Sequence, residues 1–586
     1  MSVVAGRGRS GWRPPASLVS AVATDARLIT TGMLPMVLIA SAVLTAPVSA
    51  LLLRWYRRAV LRAMAEQAGT TPAQAVRAAQ PSISGSTLQV QRIDAASLDA
   101  ASSPPAYQRA LASLASATTV YVVAGLAYAL VMTGAWLVFT AADGIVLTRV
   151  FWWLACFAWP IALAVGMVAA VNRGQQVAIG VVYLVLLSAA GIYALVRNDE
   201  LTVGQLVLFW VITEAPATLL LLAFLRRGVR AVGPMVLVFM TIAVAGSIVL
   251  INVVAAGGDA GLRAAVSVGS LFNLGGTETF FALMLLGFSI FAVAGWWLLK
   301  WLGRRYERRR LSDQSLTMDA MWLFFGIEQS VSMAIEGWIY VFTGLVAFVA
   351  YKVVKTVGFI LIRPGDSGVR SPTLLLLRVF ALGGKSERLY DALSKRWLRA
   401  GSISMIAGPD LVESTVEPHE FLEFLGGRLS RRFVRSDADV QRRLEARHSG
   451  TDPDGRYRVN EFFCYADTWQ YAMRSLAAGA DAILMDLRSF SPANQGCLYE
   501  LEQLLVSVSL DRVVFLIDES TDQAFLERAL QDAWQQMRPD SPNRRIAAPE
   551  VRLVHTHAQK SVDINGLLKL LLAQFSPSPA ASSASA

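Results

Sequence analysis

Hydrophobic and polar positions divide the chain into two unlike parts. Over roughly the first 300 residues the apolar positions come in long unbroken runs, at about 31–53, 117–141, 146–171, 177–196, 203–225, 232–255 and 280–302. Each run is long enough to cross ~30 Å of hydrocarbon as a helix, so the pattern predicts about seven spans. From about Ser371 the runs shorten and alternate with amphipathic stretches. "TLLLLRVF" (373–380), "SISMIAG" (402–408), "DAILMDL" (481–487), "DRVVFLID" (511–518) and "EVRLVHT" (550–556) read as buried strands with helices between them. Five such strands predict a five-stranded parallel, doubly wound sheet. A helical insertion covers about 417–447. The tail, 578–586, is Ser/Ala/Pro-rich and reads as disordered.

The expected architecture is therefore an N-terminal tail (1–30), a polytopic helical membrane bundle (31–302), a basic connector (303–370) and an α/β domain (371–577). Within the bundle, 54–116 is a linker rich in Ala, Ser, Gln and Pro, with room for one helix. The stretch 319–362 admits two readings. Glu328, Glu336, Lys352 and Lys355 fall in mid-segment, which favours a pair of helices lying at the membrane interface. The other reading is a hairpin that enters and leaves the membrane.

Composition agrees with the pattern. The chain has 586 residues, too many for one ordinary core, and it is 54% hydrophobic and 16% charged, with a mean hydropathy of +0.47. The net charge of +10 suggests nucleic acid until its distribution is considered. Arg54, Arg57 and Arg58, Arg226, Arg227 and Arg230, and the run Arg304 to Arg310 all sit at the ends of apolar runs. That is the positive-inside bias, so the expected partner is a lipid bilayer and not a nucleic acid. The bias puts 54–116, 172–176, 226–231 and 303–318 in the cytoplasm, the amino terminus outside and the α/β domain inside. Three cysteines (Cys156, Cys464, Cys497) fit a reducing compartment, and no secretory signal is evident in 1–30. Abundant Ala and Arg with few Lys suggest a bacterial inner-membrane protein.

Several segments carry candidate chemistry. Glu214, two residues before Pro216, is the acidic residue set well inside a run; it reads as a protonated carboxyl bonded across helices or as part of a transport path. "VFALGGKSERL" has the order of a phosphate loop but not its register, because Val379 stands where the first glycine is needed. "DPDGRYRVNE" (452–461) imitates half a calcium loop, and an Asp-Gly turn is the simpler reading. His555 and His557 alternate at a strand end; two ligands make no zinc site, and no metal is expected.

The sharpest signal is "DLRSFSPANQGCLYELEQLL" (486–505), where a buried strand ends, turns and enters a helix. It resembles the segment of Toll/interleukin-1 receptor (TIR) domains in which a strand ends in Ser/Phe-Ser-x-x-Tyr/Asn and the next helix begins Trp-Cys-x-x-Glu-Leu. Ser489, Ser491, Asn494, Cys497, Glu500 and Leu501 match, while Gly496 stands where the tryptophan usually is. "LLLLRVFALGGKSERLYDALSKRWLRAGSISMIAGPDL" resembles the opening of the same family. The likeness covers about 371–577, interrupted by a 417–465 insertion that the family mostly lacks.

The resemblance implies a catalytic role for Glu500. In many bacterial and plant TIR domains the equivalent glutamate contacts the ribose of NAD and assists cleavage of the nicotinamide–ribose bond. NAD is then a substrate, and no cofactor is required. The resemblance further implies that Ala381, Leu382, Gly383, Gly384 and Lys385 form the opposite wall, with Asp486, Ser489 and Ser491 at the pocket. A carboxylate near a helix amino terminus is also favoured by the helix dipole alone. Cys497 is expected to pack against the sheet. Three functions stay open: an NAD-consuming signalling or defence effector (an NAD nucleosidase), a non-catalytic TIR-type module that self-associates on a membrane platform, and a transporter or channel with a regulatory domain.

Overall fold

The computed structural model describes residues 34–65, 88–94, 103–140, 146–224, 232–334, 340, 342–365, 369–379, 384–408, 418–446, 450–546, 549–557 and 562–575. Long helices come first: α1 (Leu34–Ala65), α2 (Pro105–Thr140), α3 (Leu147–Phe157), α4 (Trp159–Val168), α5 (Arg173–Arg197), α6 (Val203–Phe224), α7 (Gly233–Ala256), α8 (Gly258–Ser270), α9 (Gly276–Glu307), α10 (Asp313–Ala334) and α11 (Thr343–Ile362). The strand β1 (Gln89–Asp94) lies between the first two. Among the described residues six stretches are long and apolar enough to cross a membrane: Pro105–Val138, Leu147–Val168, Arg173–Arg197, Met235–Ala256, Gly276–Glu307 and Thr343–Ile362. The seven-run expectation differs from this set at both ends and in the middle. Helix α1 is described only from Leu34, α6 is apolar over the shorter stretch Val203–Ala215, and α11 is added.

Helix α11 falls in the stretch 319–362, for which a pair of interfacial helices or a membrane hairpin was expected, and it is long and apolar enough to cross a membrane. Helices α10 and α11 form a hairpin, and α11 runs antiparallel to α2, with Phe359 against Tyr121 (5.3 Å between ring centres) and Tyr351 stacked on Trp322 (5.0 Å), which meets Tyr128 (4.9 Å). The mid-segment lysines are accommodated by a carboxylate from the partner helix. Lys352 Nζ donates to Asp319 at 2.5 Å, and buried Lys355 bonds both Asp319 and Ser315. At the crossing of α10 and α11 a Cβ on Gly344 would sit 1.7 Å from the Gly326 carbonyl oxygen. Only glycine lets the two backbones approach this closely.

The rest of the chain builds the sheet: β2 (Thr373–Arg378), α12 (Gly384–Trp397), β3 (Ser402–Ile406), α13 (Pro418–Leu425), β4 (Phe433–Val434), α14 (Asp437–Glu445), β5 (Val459–Cys464), α15 (Trp469–Ala478), β6 (Ala482–Asp486), α16 (Gln495–Ser507), β7 (Val513–Ile517), α17 (Gln523–Gln535), β8 (Glu550–His555) and α18 (Ile564–Ala573). All strand pairs are parallel, in the order β1-β8-β7-β6-β2-β3-β5-β4. The five apolar runs are β2, β3, β6, β7 and β8. They lie side by side in the order 2-1-3-4-5 when counted among themselves, the flavodoxin-like winding. Helices cover both faces, so successive strand residues enter different cores. Leu375, Leu377, Ile483 and Met485 pack with α15, α16 and α17, whereas Leu374, Leu376, Ala482 and Leu484 pack with α12 and α18.

Among the described residues the sheet has eight strands and not the five expected. The insertion supplies β4 and β5 on one side. On the other, the 54–116 linker sends β1 to pair with β8 along the whole register from Gln89–Glu550 to Asp94–His555. "QVQRID" has no apolar run: at the edge of the sheet only Val90 and Ile93 are half-buried, and the other four residues are exposed. Leu88, just before it, is buried in the core shared with α17.

The insertion also joins the two parts. Phe421 of α13 is buried with Tyr56 and Val60 of α1, Met235 of α7 and Leu299 of α9. The turn at 452–458 is an Asp-Gly turn and not a calcium loop: Gly455 has φ +77° and the Asp452 N–H donates to the Arg456 carbonyl at 2.8 Å. Its charges face the end of α9 and the start of α10. Arg458 pairs with Asp452 and donates to the Tyr306 carbonyl at 2.6 Å, Ser312 Oγ donates to Asp454 at 2.7 Å, and Arg456 reaches Asp313 at 3.0 Å. Lys395 of α12 likewise donates to the Ala170 carbonyl beyond α4 at 3.1 Å. The described basic segments assigned to one side by charge, 54–65, 172–176 and 303–312, thus lie on the side of the bundle that carries the α/β domain.

Candidate functional site at the carboxyl edge of the sheet

In an open parallel sheet the ligand crevice forms beyond the carboxyl ends of the strands where the winding reverses. Here that point lies between β2 and β6, whose last register pair is Arg378 with Asp486. Asp486 is buried and held by Arg488 through two side-chain bonds (Nε to Oδ1 2.8 Å, a terminal guanidinium nitrogen to Oδ2 2.6 Å). This pair clamps the following loop. Ser489 adopts φ +59°, unusual for a residue with a Cβ, and its hydroxyl meets that of Ser520 at 2.8 Å. Thr521 Oγ1 donates to the Leu487 carbonyl (2.9 Å) and the Asp522 N–H to the Phe490 carbonyl (3.0 Å). The loops after β6 and β7 are therefore tied together.

Ser491 opens the approach to α16, with its N–H and hydroxyl both donating to Asn494 Oδ1 at 2.9 and 3.0 Å. Cys497 is buried, its thiol 3.6 Å from the Arg378 carbonyl, which places it against the sheet as expected. One turn on, Glu500 is 2% exposed, and its Oε2 has no hydrogen-bond partner. Burial pushes its carboxyl up to about 8, with the Arg378 guanidinium pulling the other way. Glu502 is half-buried.

The structure thus brings Asp486, Ser489, Ser491 and Glu500 to one edge. Gly384 and Lys385 begin α12, whereas Ala381, Leu382 and Gly383 lie outside the described residues. Sequence reasoning passed over Arg378 and Asp518, buried charged residues at the ends of β2 and β7. Their signal was an apolar strand that stops on a charge. The same edge gathers His555, His557 and Glu519, whose ligand atoms lie within 4.8 Å of one another. Glu519 Oε1 is 3.2 Å from His557 Nδ1, and Asp94 of β1 is 3.9 Å from Nε2. Two imidazoles and a carboxylate are a donor set suited to a divalent transition metal. The third donor comes from another loop, which a count of histidines along the chain cannot reveal.

In the helical part Glu214 is buried and its Oε2 is unpartnered. Beside Pro216, the side chains of α10 replace helix bonding: the Ala217 N–H donates to Glu328 (3.2 Å), and Gln329 Nε2 donates to the Thr213 carbonyl (2.6 Å). Glu328 and Gln329 therefore satisfy backbone groups next to the proline.

Comparison with family models, curated proteins and solved structures finds no match for this chain.

Proposed function

We propose that this chain is a multi-pass protein of the bacterial inner membrane whose cytoplasmic TIR-like domain binds NAD at the β2/β6 crevice and cleaves its nicotinamide–ribose bond, in signalling or defence. One observation carries the reading: Glu500 keeps an unpartnered carboxylate oxygen in the dry interior directly behind the point where the sheet reverses. Buried polar atoms without partners are costly and cluster where chemistry is done. As the bond to the neutral leaving nicotinamide breaks, positive charge develops on the ribose. A carboxylate in a water-poor cleft stabilises that charge more than it stabilises the ground state. The cationic pyridinium of bound NAD draws the Glu500 proton off before the bond breaks, and water then adds to the ribose carbon.

Nicotinamide release by the purified full-length chain, alone and clustered, tests this. Glu500→Gln removes the charge and keeps the size, and the loss expected is about 10²–10³ in rate. Glu502→Gln, about 200° further round the helix, leaves the rate unchanged. Equal rates in the two variants refute the chemistry. Self-association without nicotinamide release identifies the second reading, a non-catalytic TIR-type assembly module. That reading is supported by the internal pairing of Asp486, Ser489, Ser491 and Asn494.

A further inference from the structure

Where the helical bundle meets the α/β domain lies a cavity of about 480 Å³, within the range of small-molecule sites. Its walls come from the end of α9, from α10 and α11, and from the turn at 451–453. Five of the lining side chains are basic: Arg309, Arg310, Lys352, Lys355 and Arg363. The acids nearby do not balance them. Asp319 is shared by both lysines, and Asp452 is taken up by Arg458 outside the lining set. Arg310 and Arg363 are exposed and form no ion pair with any described residue.

One part of the wall is apolar, made by Phe359 and Ile360. Ile360 is also the last member of an exposed stripe on α11, Val346, Val349, Val353, Val357 and Ile360, spaced at three or four residues and so on one helix face. At 1.5 Å per residue the stripe is about 21 Å long, longer than the ~15 Å acyl layer of one leaflet. The cavity and the stripe thus share a wall, one side basic and the other oily. Soluble phosphates have no use for the stripe, and neutral lipids none for the charge.

We propose that this cavity is a binding site for the headgroup of an anionic phospholipid, whose acyl chains lie along the Val346–Ile360 face of α11. The ligand class is a phosphodiester carrying net negative charge, held by Arg310 and Arg363 at the mouth and by Lys352 and Lys355 deeper in. Because Thr451, Asp452 and Pro453 complete the wall, the lipid also bridges the bundle and the α/β domain. It is a fixed annular lipid that sets how the domain is carried. The proposal rests on the membrane reading above.

The test uses the full-length chain. Resistance of the membrane-bound protein to alkaline carbonate checks the membrane reading by itself. Native mass spectrometry from neutral detergent then counts retained lipid while phosphatidylglycerol or phosphatidylcholine is titrated in. One phosphatidylglycerol should bind in preference to phosphatidylcholine. Arg310→Gln/Arg363→Gln should weaken it roughly thirtyfold, at a few-fold for each basic residue removed. Lys300→Gln/Arg305→Gln, which removes two interfacial charges resting on Trp296 and Trp301, should change it less than twofold. Millimolar inorganic phosphate should not displace the lipid. Equal weakening in both double variants would reduce the effect to non-specific surface charge and overturn the proposal. No preference for phosphatidylglycerol, or displacement by phosphate, would overturn it too, the latter in favour of a soluble phosphate ligand. A carbonate-resistant protein that fails these tests refutes the lipid site alone; a carbonate-extracted protein refutes the membrane reading.

Discussion

Replacing Glu500 with Gln should stabilise the domain, by an amount that grows with pH. In the folded chain the carboxyl titrates at about 8, against an ordinary value of 4.5. Between those two values the folded state holds a proton that the unfolded chain has released. Stability is therefore lost as pH rises through that window. At 1.36 kcal/mol per pH unit, the penalty carried by Glu500 is close to zero at pH 4, about 3 kcal/mol at pH 7 and about 5 kcal/mol from pH 8 upward. Glutamine is neutral throughout and close in shape to the protonated acid, so the variant escapes the penalty. Other titrating groups act equally in both proteins and cancel in the difference. For a domain of this size, 1 kcal/mol moves the melting temperature by about 2–4 °C. Thermal unfolding of the full-length chain in detergent should then show Glu500→Gln level with wild type at pH 4 and about 6–12 °C higher at pH 7. A difference independent of pH would mean that the carboxyl gives up its proton as readily folded as unfolded, and a variant less stable at pH 7 would mean that it is ionised and paired with Arg378. In either case Glu500 would not be an unpartnered buried acid, and it would no longer support the catalytic reading.

Three further outcomes follow from particular contacts. Leu88→Ala, which empties a buried position next to β1, should cost about 2–4 kcal/mol and speed hydrogen exchange along β8; unchanged β8 protection would mean that β1 is not docked. Arg458→Ala leaves Asp452, 2% exposed in its side chain, without its cation, and should cost about 3–5 kcal/mol, with protease sensitivity rising first around 303–315. Sensitivity that rises elsewhere instead would refute the 452–458 turn as the joint. Gly344→Val must push α10 and α11 apart and should lower the melting temperature of the bundle, while Gly180→Val on α5, where an added Cβ meets nothing within 4 Å, should not; equal effects would refute the close crossing.

Sequence alone determined the elements whose hydrophobic pattern is continuous. The five core strands were legible because strands buried on both faces must be apolar at every position, and their alternation with helices implied a parallel winding. The basic clusters that mark one side were legible because charge at the end of an apolar run has few places to go. Glu500 could be placed just past a core strand for the same reason, since a strand that ends in Asp486 and a Ser/Pro/Asn turn has to pass into something at the sheet's edge. Tertiary structure decided whatever depends on a partner distant in the chain. β1 is mostly polar and gains its place only by pairing with β8, more than 450 residues away. Lys352 and Lys355 argue against burial until α10 brings Asp319 to them. His555 and His557 meet their third donor in Glu519, on the loop after β7. The turn at 452–458 has its meaning from carbonyls at 306 and 311. The physical reason is common to all of these: a local pattern reports whether a residue is buried, but the energy of a buried charge or an unpaired strand edge is set by the group that meets it, and only the fold chooses that group.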